Sequence, residues 1–405
     1  MVQPMQGIRI LDVADHTFVP AASAVLADWG ADVIKIEHAK RGDAARGLAS
    51  SGALDLTGQV HAILEHANRG KRSLGLDLQT EEGMAVLHRL IAISDVFLTN
   101  KPPNVRERLH ITEEEVRPHN ENIVYAAGTA WGHKGPEADR GGYDMTSFWV
   151  RSGAALGTWY TDDERMPSQP GPAFGDSIGA MTIAGGIATA LFHRQRTGEA
   201  ISLEVSLLGT GLWAMGAGVA MSHVNNTPWR PVDLSGLTQP LLGNYVTSDG
   251  YTINITCLQP LPYWQEFCRV IDRPELIDDE RFATYEALMA NAGPARAIVS
   301  QVVTSRTLDE IRELFDNFSG QWTPALDTLE IMDDPQVQAN GYVQDAVNEE
   351  GIPFKLVAVP VQFNGEPAAP GRAPGFNEHG DEILTENLGM DWDDVVDLKV
   401  KGVVT

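Results

Sequence analysis

The 405-residue chain carries a formal charge of −25, because its 55 acidic residues far outnumber its 30 basic residues. Hydrophobic residues make up 43% of the chain and charged residues 21%, which is typical of globular proteins, and the length exceeds what one hydrophobic core usually fills. Because so acidic a surface repels nucleic acid and anionic lipid, neither a nucleic-acid-binding nor a membrane-surface function is expected.

The charge is distributed unevenly along the chain. Residues 1–110 contain 12 basic and 13 acidic residues, whereas the rest of the chain contains 18 and 42. Basic residues are therefore concentrated where an anionic ligand could dock on an otherwise acidic protein. Chance clustering on a solvated face has the same composition, so the pattern alone leaves both explanations open.

Cysteine and histidine spacing argue against metal chemistry. Cys257 and Cys268 match no zinc or redox motif, and the 11 histidines are scattered without a metal-binding pattern, so no metal site is expected. Residues 1–7 show no signal-peptide pattern, and the longest apolar stretch, residues 179–192, is too short to span a bilayer. The expected location is the cytosol.

The first third of the chain alternates between strand and helix patterns. Short apolar runs predict buried strands over residues 8–13, 32–37, 73–78, 95–99 and 123–127. Helical patterns lie between them over residues 20–29, 81–93 and 113–116. Strands separated by helices indicate a Rossmann-like α/β fold with a doubly wound parallel sheet. The turn after the first strand lacks the G-x-G-x-x-G sequence, so NAD binding is not expected.

The character of the sequence changes after the fifth predicted strand. Residues 134–175 are rich in Gly and Pro, and a small-residue helix is predicted over residues 177–196. A strand over residues 203–208 leads into another apolar helix. Further on, Ser248-Asp249-Gly250 is typical of the turn of a β-hairpin.

These changes predict a division into domains. We expect residues 1–225 to form the first part of a large domain and residues 226–325 to form a small α+β domain. Residues 326–405 are expected to return to the large domain.

The most suggestive local pattern, Phe174-Gly175-Asp176-Ser177-Ile178-Gly179, opens the small-residue helix. An aspartate here lies beside free backbone N–H groups and the positive end of the helix dipole, which favour its charged form and could stabilise a neighbouring oxyanion. The two glycines leave room for a ligand to approach the backbone. An ordinary helix N-cap explains the same residues, because aspartate is a preferred N-cap.

Further blocks occur in a fixed order from residue 7 to about residue 385. They comprise residues 7–12, 26–37, 42–43, 68–78, 100 with 108, 142–144, 152–153, 175–176, 373–374 and 378–379. In order and spacing these blocks resemble the class III (CaiB/BaiF-type) CoA-transferases, the family of formyl-CoA transferase, carnitine CoA-transferase and α-methylacyl-CoA racemase.

The resemblance implies that Asp176 is a nucleophile. Its carboxylate would attack the thioester of a donor acyl-CoA to form a mixed anhydride, and the released CoA thiolate would then form an aspartyl-CoA thioester. An acceptor carboxylic acid would take the CoA through a second anhydride. The resemblance also implies an interlocked homodimer, with acyl-CoA as substrate and no tightly bound cofactor.

The same resemblance implies which residues contact CoA or the acyl group. These are His16, Thr17, Phe18, His38, Arg41, Lys71, Arg72, Asn100, Lys101, Arg108, Trp131, Tyr143, Asp144 and Gly175. Lys71, Arg72 and Arg108 are the preferred candidates for phosphate or adenine contacts. Trp131, Trp149 and Trp213 are candidates for an apolar acyl pocket, although such residues more often belong to the core.

The sequence departs from the family pattern at three places. His38 replaces an arginine, for which Arg41 could substitute, and Thr129 replaces a lysine of the formate-oxalate branch. The segment 235–240 contains one glycine where formyl-CoA transferase has a glycine-rich loop. Oxalate is therefore a doubtful acceptor.

Two alternatives stay open at this point. The first is an α-methylacyl-CoA racemase or epimerase, which needs a second acid/base opposite Asp176. Tyr143 occupies the position of the racemase histidine, and His133 is close in sequence but outside the matching block. The second is a catalytically idle relative that binds acyl-CoA.

Overall fold

The structure is a computed structural model that describes residues 2–51, 54–160, 164–231 and 239–405. The chain divides into two units. Unit 1 comprises Met1–Trp159, Glu164–Trp229 and Pro335–Thr405, and unit 2 comprises Tyr160–Asp163 and Arg230–Asp334.

Helices and strands alternate through the first half of unit 1. In chain order they are β1 (Arg9–Val13), α1 (Phe18–Asp28), β2 (Asp32–His38), β3 (Ser50–Ser51), β4 (Leu54–Asp55), α2 (Ala62–Asn68), β5 (Arg72–Leu76), α3 (Glu81–Ala92), β6 (Val96–Thr99), α4 (Pro103–Arg108), α5 (Glu113–Val116) and β7 (Val124–Thr129). After a π-helical turn they continue with α6 (Ala154–Gly157), α7 (Phe174–Thr197), β8 (Ser202–Ser206), α8 (Leu207–Ala214) and α9 (Gly216–Asn225).

Unit 2 and the return of the chain to unit 1 supply the remaining elements. Those of unit 2 are β9 (Leu242–Val246), β10 (Thr252–Thr256), α10 (Pro260–Val270), α11 (Tyr285–Ala290), α12 (Ala292–Thr304), α13 (Leu308–Leu314) and β11 (Trp322–Pro324). Those of the return are α14 (Pro335–Ala339), β12 (Val343–Val347), β13 (Pro353–Val357), α15 (Gly380–Glu382) and α16 (Trp392–Val400).

Six strands of unit 1 form one parallel sheet in the order β5-β2-β1-β6-β7-β8. From β1 the chain moves outward through β2 and β5 on one side and through β6, β7 and β8 on the other. The crevice at the carboxyl ends of β1 and β6 is therefore the topological switch point, where open α/β sheets bind ligands. The predicted doubly wound α/β fold is confirmed.

Apolar side chains cover both faces of the sheet. On one face α1 and α7 pack against residues such as Ile10, Val96 and Val124. On the other face α3, α16 and the segment around Ile383 pack against residues such as Leu11. Both faces of a parallel sheet must be covered in this way, which explains why its strands read as nearly continuous apolar runs.

Helix α7 is 24 residues long and, by length and composition alone, apolar enough to cross a membrane. In unit 1 it packs beside α1, and its residues Ala180, Ile183, Ala184 and Ile187 are buried in the core. An internal helix of a globular protein has the same composition, since it is apolar on the face that it buries.

Unit 2 has its own apolar core, in which Trp264, Phe267, Phe282 and Phe315 are buried. The predicted hairpin is present, because β9 and β10 are antiparallel neighbours that pair Val246 with Thr252. The third strand of this sheet, β11, is absent from the sequence predictions.

Candidate active site

Asp176 lies in the first turn of α7, but it is not the N-cap. The helix begins after Ala173, which adopts the left-handed conformation with φ of 57° and takes the N-cap position. Asp176 is therefore the third residue of the helix. No side-chain hydrogen bond of its carboxylate occurs among the described residues, so an N-capping role does not account for it.

The glycines beside Asp176 have a packing role that the sequence did not indicate. A Cβ atom on Gly175 would lie 2.5 Å from the ring of Phe148, and one on Gly179 would lie 2.3 Å from the ring of Phe18. Both glycines therefore allow an aromatic ring to pack against the helix, and a ligand contact at Gly175 stays a prediction. Phe18 is itself a buried residue of the core, and its predicted substrate contact stays a prediction.

Asp144 is the charged neighbour of Asp176. It is only 7% exposed, and its Oδ2 accepts hydrogen bonds from the backbone N–H of Gly175 (3.2 Å) and from Nε2 of Gln169 (3.0 Å). Burial, and then repulsion by Asp144, raise the pKa of Asp176 to about 8. The carboxyl group is thus largely protonated near neutral pH in the unliganded protein.

The Asp176 side chain lines a cavity of about 500 Å³ in unit 1, which we call the aspartate cavity. Polar residues on its wall include His16, Thr17, Tyr143, Asp144, Ser168 and Gln169. Apolar residues on its wall include Leu48, Ile63, Met145 and Pro172. The sequence indicated His16, Thr17, Tyr143 and Asp144, and the structure brings all four together with Asp176.

A second cavity, of about 770 Å³, adjoins the first because both are lined by His16 and Tyr143. Trp131 is on its wall, with the guanidinium groups of Arg140 and Arg151 each 5.5 Å from its ring centroid. We call it the tryptophan cavity. Tyr143 is 64% exposed and makes an edge-to-face contact with the His16 ring, so this pair separates the two cavities.

Asn100 and Lys101 follow β6 at the switch point and also line the tryptophan cavity. The Asn100 side chain accepts a hydrogen bond from the N–H of Asp15 and donates one to its carbonyl (3.1 and 2.6 Å). Lys101 forms an ion pair with the Asp15 carboxylate. Asn100 therefore holds the turn after β1, a role that the sequence did not indicate, and its predicted contact with CoA stays a prediction.

A third cavity, of about 380 Å³, lies at the carboxyl ends of β1, β2 and β5, and we call it the strand-end cavity. It shares Asp15 and Lys101 with the tryptophan cavity, so the three cavities are consecutive neighbours. His38, Arg41 and Arg108 line it. Arg41 and Arg108 are exposed and form no ion pair within the described residues, so both guanidinium groups face solvent.

Lys71 and Arg72 do not fit their predicted role as phosphate ligands. The ammonium group of Lys71 is fully buried and bonded to Asp12 and Asn68 (2.8 and 3.0 Å). Arg72 is the first residue of β5 and lies at the amino end of that strand, whereas the strand-end cavity lies at the carboxyl end. Its guanidinium pairs with Asp32. Both cations are thus engaged in ion pairs within unit 1.

The other sequence candidates have varied outcomes. Trp149 is a buried core residue and Trp213 is 87% exposed, and neither lines a described cavity wall near Asp176. Thr129 lines the tryptophan cavity and donates to Glu204 (3.0 Å). His133 pairs with the same Glu204 in a separate cavity, which removes it as a partner of Asp176. Most of the segment 235–240 lies outside the described residues.

Two side chains beside the site are not indicated by the sequence. Leu48 and the Nε2 atom of His66, which lies 3.1 Å from Ser177 Oγ, come from segments without a recognised motif. Burial, followed by the charge of Arg69, lowers the pKa of His66 to about 4, so this imidazole is neutral. His66 is recognised as a neighbour of the site only because the fold brings it next to Ser177.

The chain is similar in sequence to known CoA-transferases. The model of CoA-transferase family III matches residues 5–380. The (R)-2-hydroxy-4-methylpentanoate CoA-transferase of Clostridioides difficile is 25% identical, with 99% of each chain covered. The succinate–glutarate CoA-transferase of Agrobacterium fabrum is 30% identical, with 95% of each chain covered. The crystal structure of Rv3272 from M. tuberculosis superposes with a TM-score of 0.79 at 26% identity, covering 94% of this chain and 99% of that one.

Proposed function

Because the chain belongs to CoA-transferase family III, whose members act on CoA thioesters, we propose that Asp176 carries the acyl group and then CoA during transfer. The observation that carries this proposal is the Asp176 carboxyl group itself. It lines a cavity, no described donor holds it, and burial withholds the water that would stabilise its charge. A desolvated carboxylate is more reactive toward a thioester than a hydrated one.

The proposed reaction has four steps. The Asp176 carboxylate attacks the donor thioester carbonyl, so that a C–O bond forms, the C–S bond breaks and CoA leaves as a thiolate. The thiolate attacks the Asp176 carbonyl and expels the donor acid, leaving CoA on Asp176 as a thioester. The acceptor carboxylate then displaces CoA to form a second anhydride. Attack of the thiolate on the acceptor carbonyl yields the new acyl-CoA and restores the Asp176 carboxylate.

The three consecutive cavities support a path for CoA. We propose that Arg41 and Arg108 at the strand-end cavity bind the phosphates and that His38 lies beside them. The pantetheine arm would cross the tryptophan cavity and bring the thioester past His16 and Tyr143 to Asp176. The cytosolic location and the homodimer that the sequence predicts belong to this proposal.

Intact-protein mass spectrometry with pooled acyl-CoA thioesters tests the function. A CoA-sized adduct that maps to the peptide containing Asp176 is the expected result, and its dependence on each thioester identifies the donor. CoA binding without any adduct, across donors of different acyl size, would contradict the proposed role of Asp176.

The lining of the aspartate cavity supports a class of acceptor. Leu48, Ile63 and Met145 offer apolar surface, and no lysine or arginine is among the described residues that line it. A second carboxylate on the acceptor would meet Asp144 with no cation to balance it. The names of the relatives include both a monocarboxylate and dicarboxylates. We propose a singly charged acid with an apolar side chain.

A change at Leu48 tests the acceptor class. In the wild type, 4-methylpentanoate is expected to exceed glutarate in kcat/KM by about tenfold or more, since an unbalanced carboxylate costs at least 1.4 kcal/mol. Leu48→Arg supplies the missing cation and should narrow or reverse the ratio. Leu48→Gln, which is polar but neutral, should leave the order unchanged. A wild-type preference for glutarate would refute the proposed class.

A further inference from the structure

Unit 1 buries four charged side chains beneath the turn that joins β1 to α1. Asp12 pairs with Lys71 (2.8 Å) and Asp43 pairs with Lys35 (2.6 Å), and none of the four side chains has exposed surface. Withdrawing charges from water is costly, and a buried ion pair often stabilises a fold no more than apolar residues of similar size. Fold stability alone therefore does not explain two such pairs in one place.

The two lysines bind the ends of the turn. Lys35 Nζ donates a hydrogen bond to the carbonyl of Ala14 (2.9 Å), at the start of the turn. Lys71 Nζ donates one to the carbonyl of Pro20 (2.7 Å), just beyond the end of the turn, in the first turn of α1. Because each ammonium group also bonds a buried carboxylate, the two carbonyls are fixed relative to the sheet.

Asp43 binds the middle of the same turn. Its Oδ1 accepts hydrogen bonds from the backbone N–H of His16 (2.9 Å) and of Ala45 (2.8 Å). His16 has a φ of 66°, the left-handed conformation that residues with a side chain seldom adopt. A charged acceptor forms the stronger kind of hydrogen bond and thus holds His16 in this conformation.

We propose that Asp12, Lys35, Asp43 and Lys71 are positioning residues that preset the His16 turn for the reaction at Asp176. His16 and Thr17 of this turn line the aspartate cavity together with Asp176. The network fixes the turn before substrate arrives, so the thioester binds in one orientation. The inference rests on the proposed function of Asp176.

Paired substitutions separate positioning from folding. Asp12→Asn with Lys71→Met removes one ion pair without leaving a lone buried charge. We expect the variant to stay folded and to form the Asp176 adduct about 10²-fold more slowly at saturating donor, because a displacement of about 1 Å has an effect of this size. The matched control is Asp28→Asn with Arg69→Met. That pair is equally buried (2.8 Å, side chains 1% and 3% exposed) and does not touch the turn, although Arg69 also donates a hydrogen bond to the His66 carbonyl (2.8 Å). Any loss of the adduct-forming rate should therefore be far smaller than in the turn variant.

A second pair of variants isolates the bond to His16. On a Lys35→Met background, Asp43→Asn keeps an acceptor for the His16 N–H and Asp43→Ala removes it. The asparagine variant should therefore retain several times more of the adduct-forming rate. If the Asp12/Lys71 variant fails to fold, this comparison still tests the positioning role. The two Asp43 variants lack the same charges and differ in the acceptor for the His16 N–H.

The outcomes distinguish this inference from the proposed function. If the wild type forms no adduct, the proposed function fails and the inference fails with it. If the wild type forms the adduct and the turn variants match the Asp28/Arg69 control, the inference alone is refuted. Equal rates for the two Asp43 variants would refute it as well.

Discussion

Replacing Asp176 with asparagine is expected to abolish CoA transfer and, at the same time, to stabilise the protein. The amide cannot attack a thioester, so the rate should fall by about 10³-fold or more, as for other removed nucleophiles. CoA should still bind, because Arg41 and Arg108, the proposed phosphate contacts, are unchanged. Single-turnover assays with donor acyl-CoA, together with a CoA-binding measurement, check both expectations.

The stabilisation has a defined pH dependence. The pKa of Asp176 is raised to about 8 in the folded protein, whereas the pKa of an aspartate in an unfolded chain is about 3.9. Between these values the folded state retains a proton that the unfolded state releases, so the wild-type residue destabilises the fold increasingly as pH rises. Asparagine does not titrate, and the gain in Tm of the variant should grow from about pH 4 to pH 8.

The measurement is thermal unfolding at a series of pH values. A gain in Tm of about 2–5 °C at pH 8 is expected, with little difference at pH 4. Glu199→Gln removes an exposed carboxylate just beyond the far end of α7 and should show no such trend. A Tm difference that does not vary with pH would mean that Asp176 titrates normally.

The second large effect concerns the pH at which Asp176 becomes reactive. Adduct formation at low donor concentration reports the free enzyme, so its rate should rise with pH and level off above about pH 8. Asp144→Asn removes the like charge that is the second cause of the raised pKa, after burial. The profile should then move to lower pH, with a severalfold faster reaction at pH 6.

Asp144 also accepts the N–H of Gly175, so a structural effect must be separated from an electrostatic one. A lost hydrogen bond lowers the rate at every pH, whereas a lowered pKa displaces the profile along the pH axis. Glu199→Gln again serves as the control with an unshifted profile. A wild-type rate that is constant from pH 5.5 to pH 9 (roughly the range over which a pKa near 8 is visible) would contradict the mechanism.

The sequence was sufficient to predict the sheet because its strands are buried on both faces. Continuous apolar runs such as Val33-Ile34 and Phe97-Leu98 indicate strands without knowledge of the fold. The start of α7 was predicted three residues late. Aspartate and serine are preferred N-caps, but here Ala173 adopts the left-handed conformation, which no local preference of alanine predicts.

The family resemblance implies His16 and Asn100 as substrate contacts, and the pattern at the helix start indicates Asp176. The structure places His16 and Asp176 on one cavity wall and Asn100 on the next, and their roles stay predictions. The prediction that Lys71 and Arg72 bind phosphate failed because a basic segment indicates an anion site without indicating at which end of the strands it lies. Lys71 precedes β5 and Arg72 is its first residue, so both lie at the amino end of the strand, whereas ligands of parallel sheets bind beyond the carboxyl ends.

The buried network of Asp12, Lys35, Asp43 and Lys71 is partly visible in the sequence. Asp12 and Lys35 each interrupt an apolar strand at a position that the sheet buries. A charge in such a run indicates a partner that is distant in sequence. Periodicity cannot identify that partner, because Lys71 and Asp43 reach their places only through the fold.

The edge strand β5 is completed by the far end of the sequence. Leu76 forms a bridge with Val404, and the N–H of Asp77 donates to the carbonyl of Val403 (2.9 Å). Strand β5 thus acquires this neighbour from a segment more than 320 residues further along the chain. Pairing of β5 is therefore completed late in synthesis, and until then its free edge can pair with other chains.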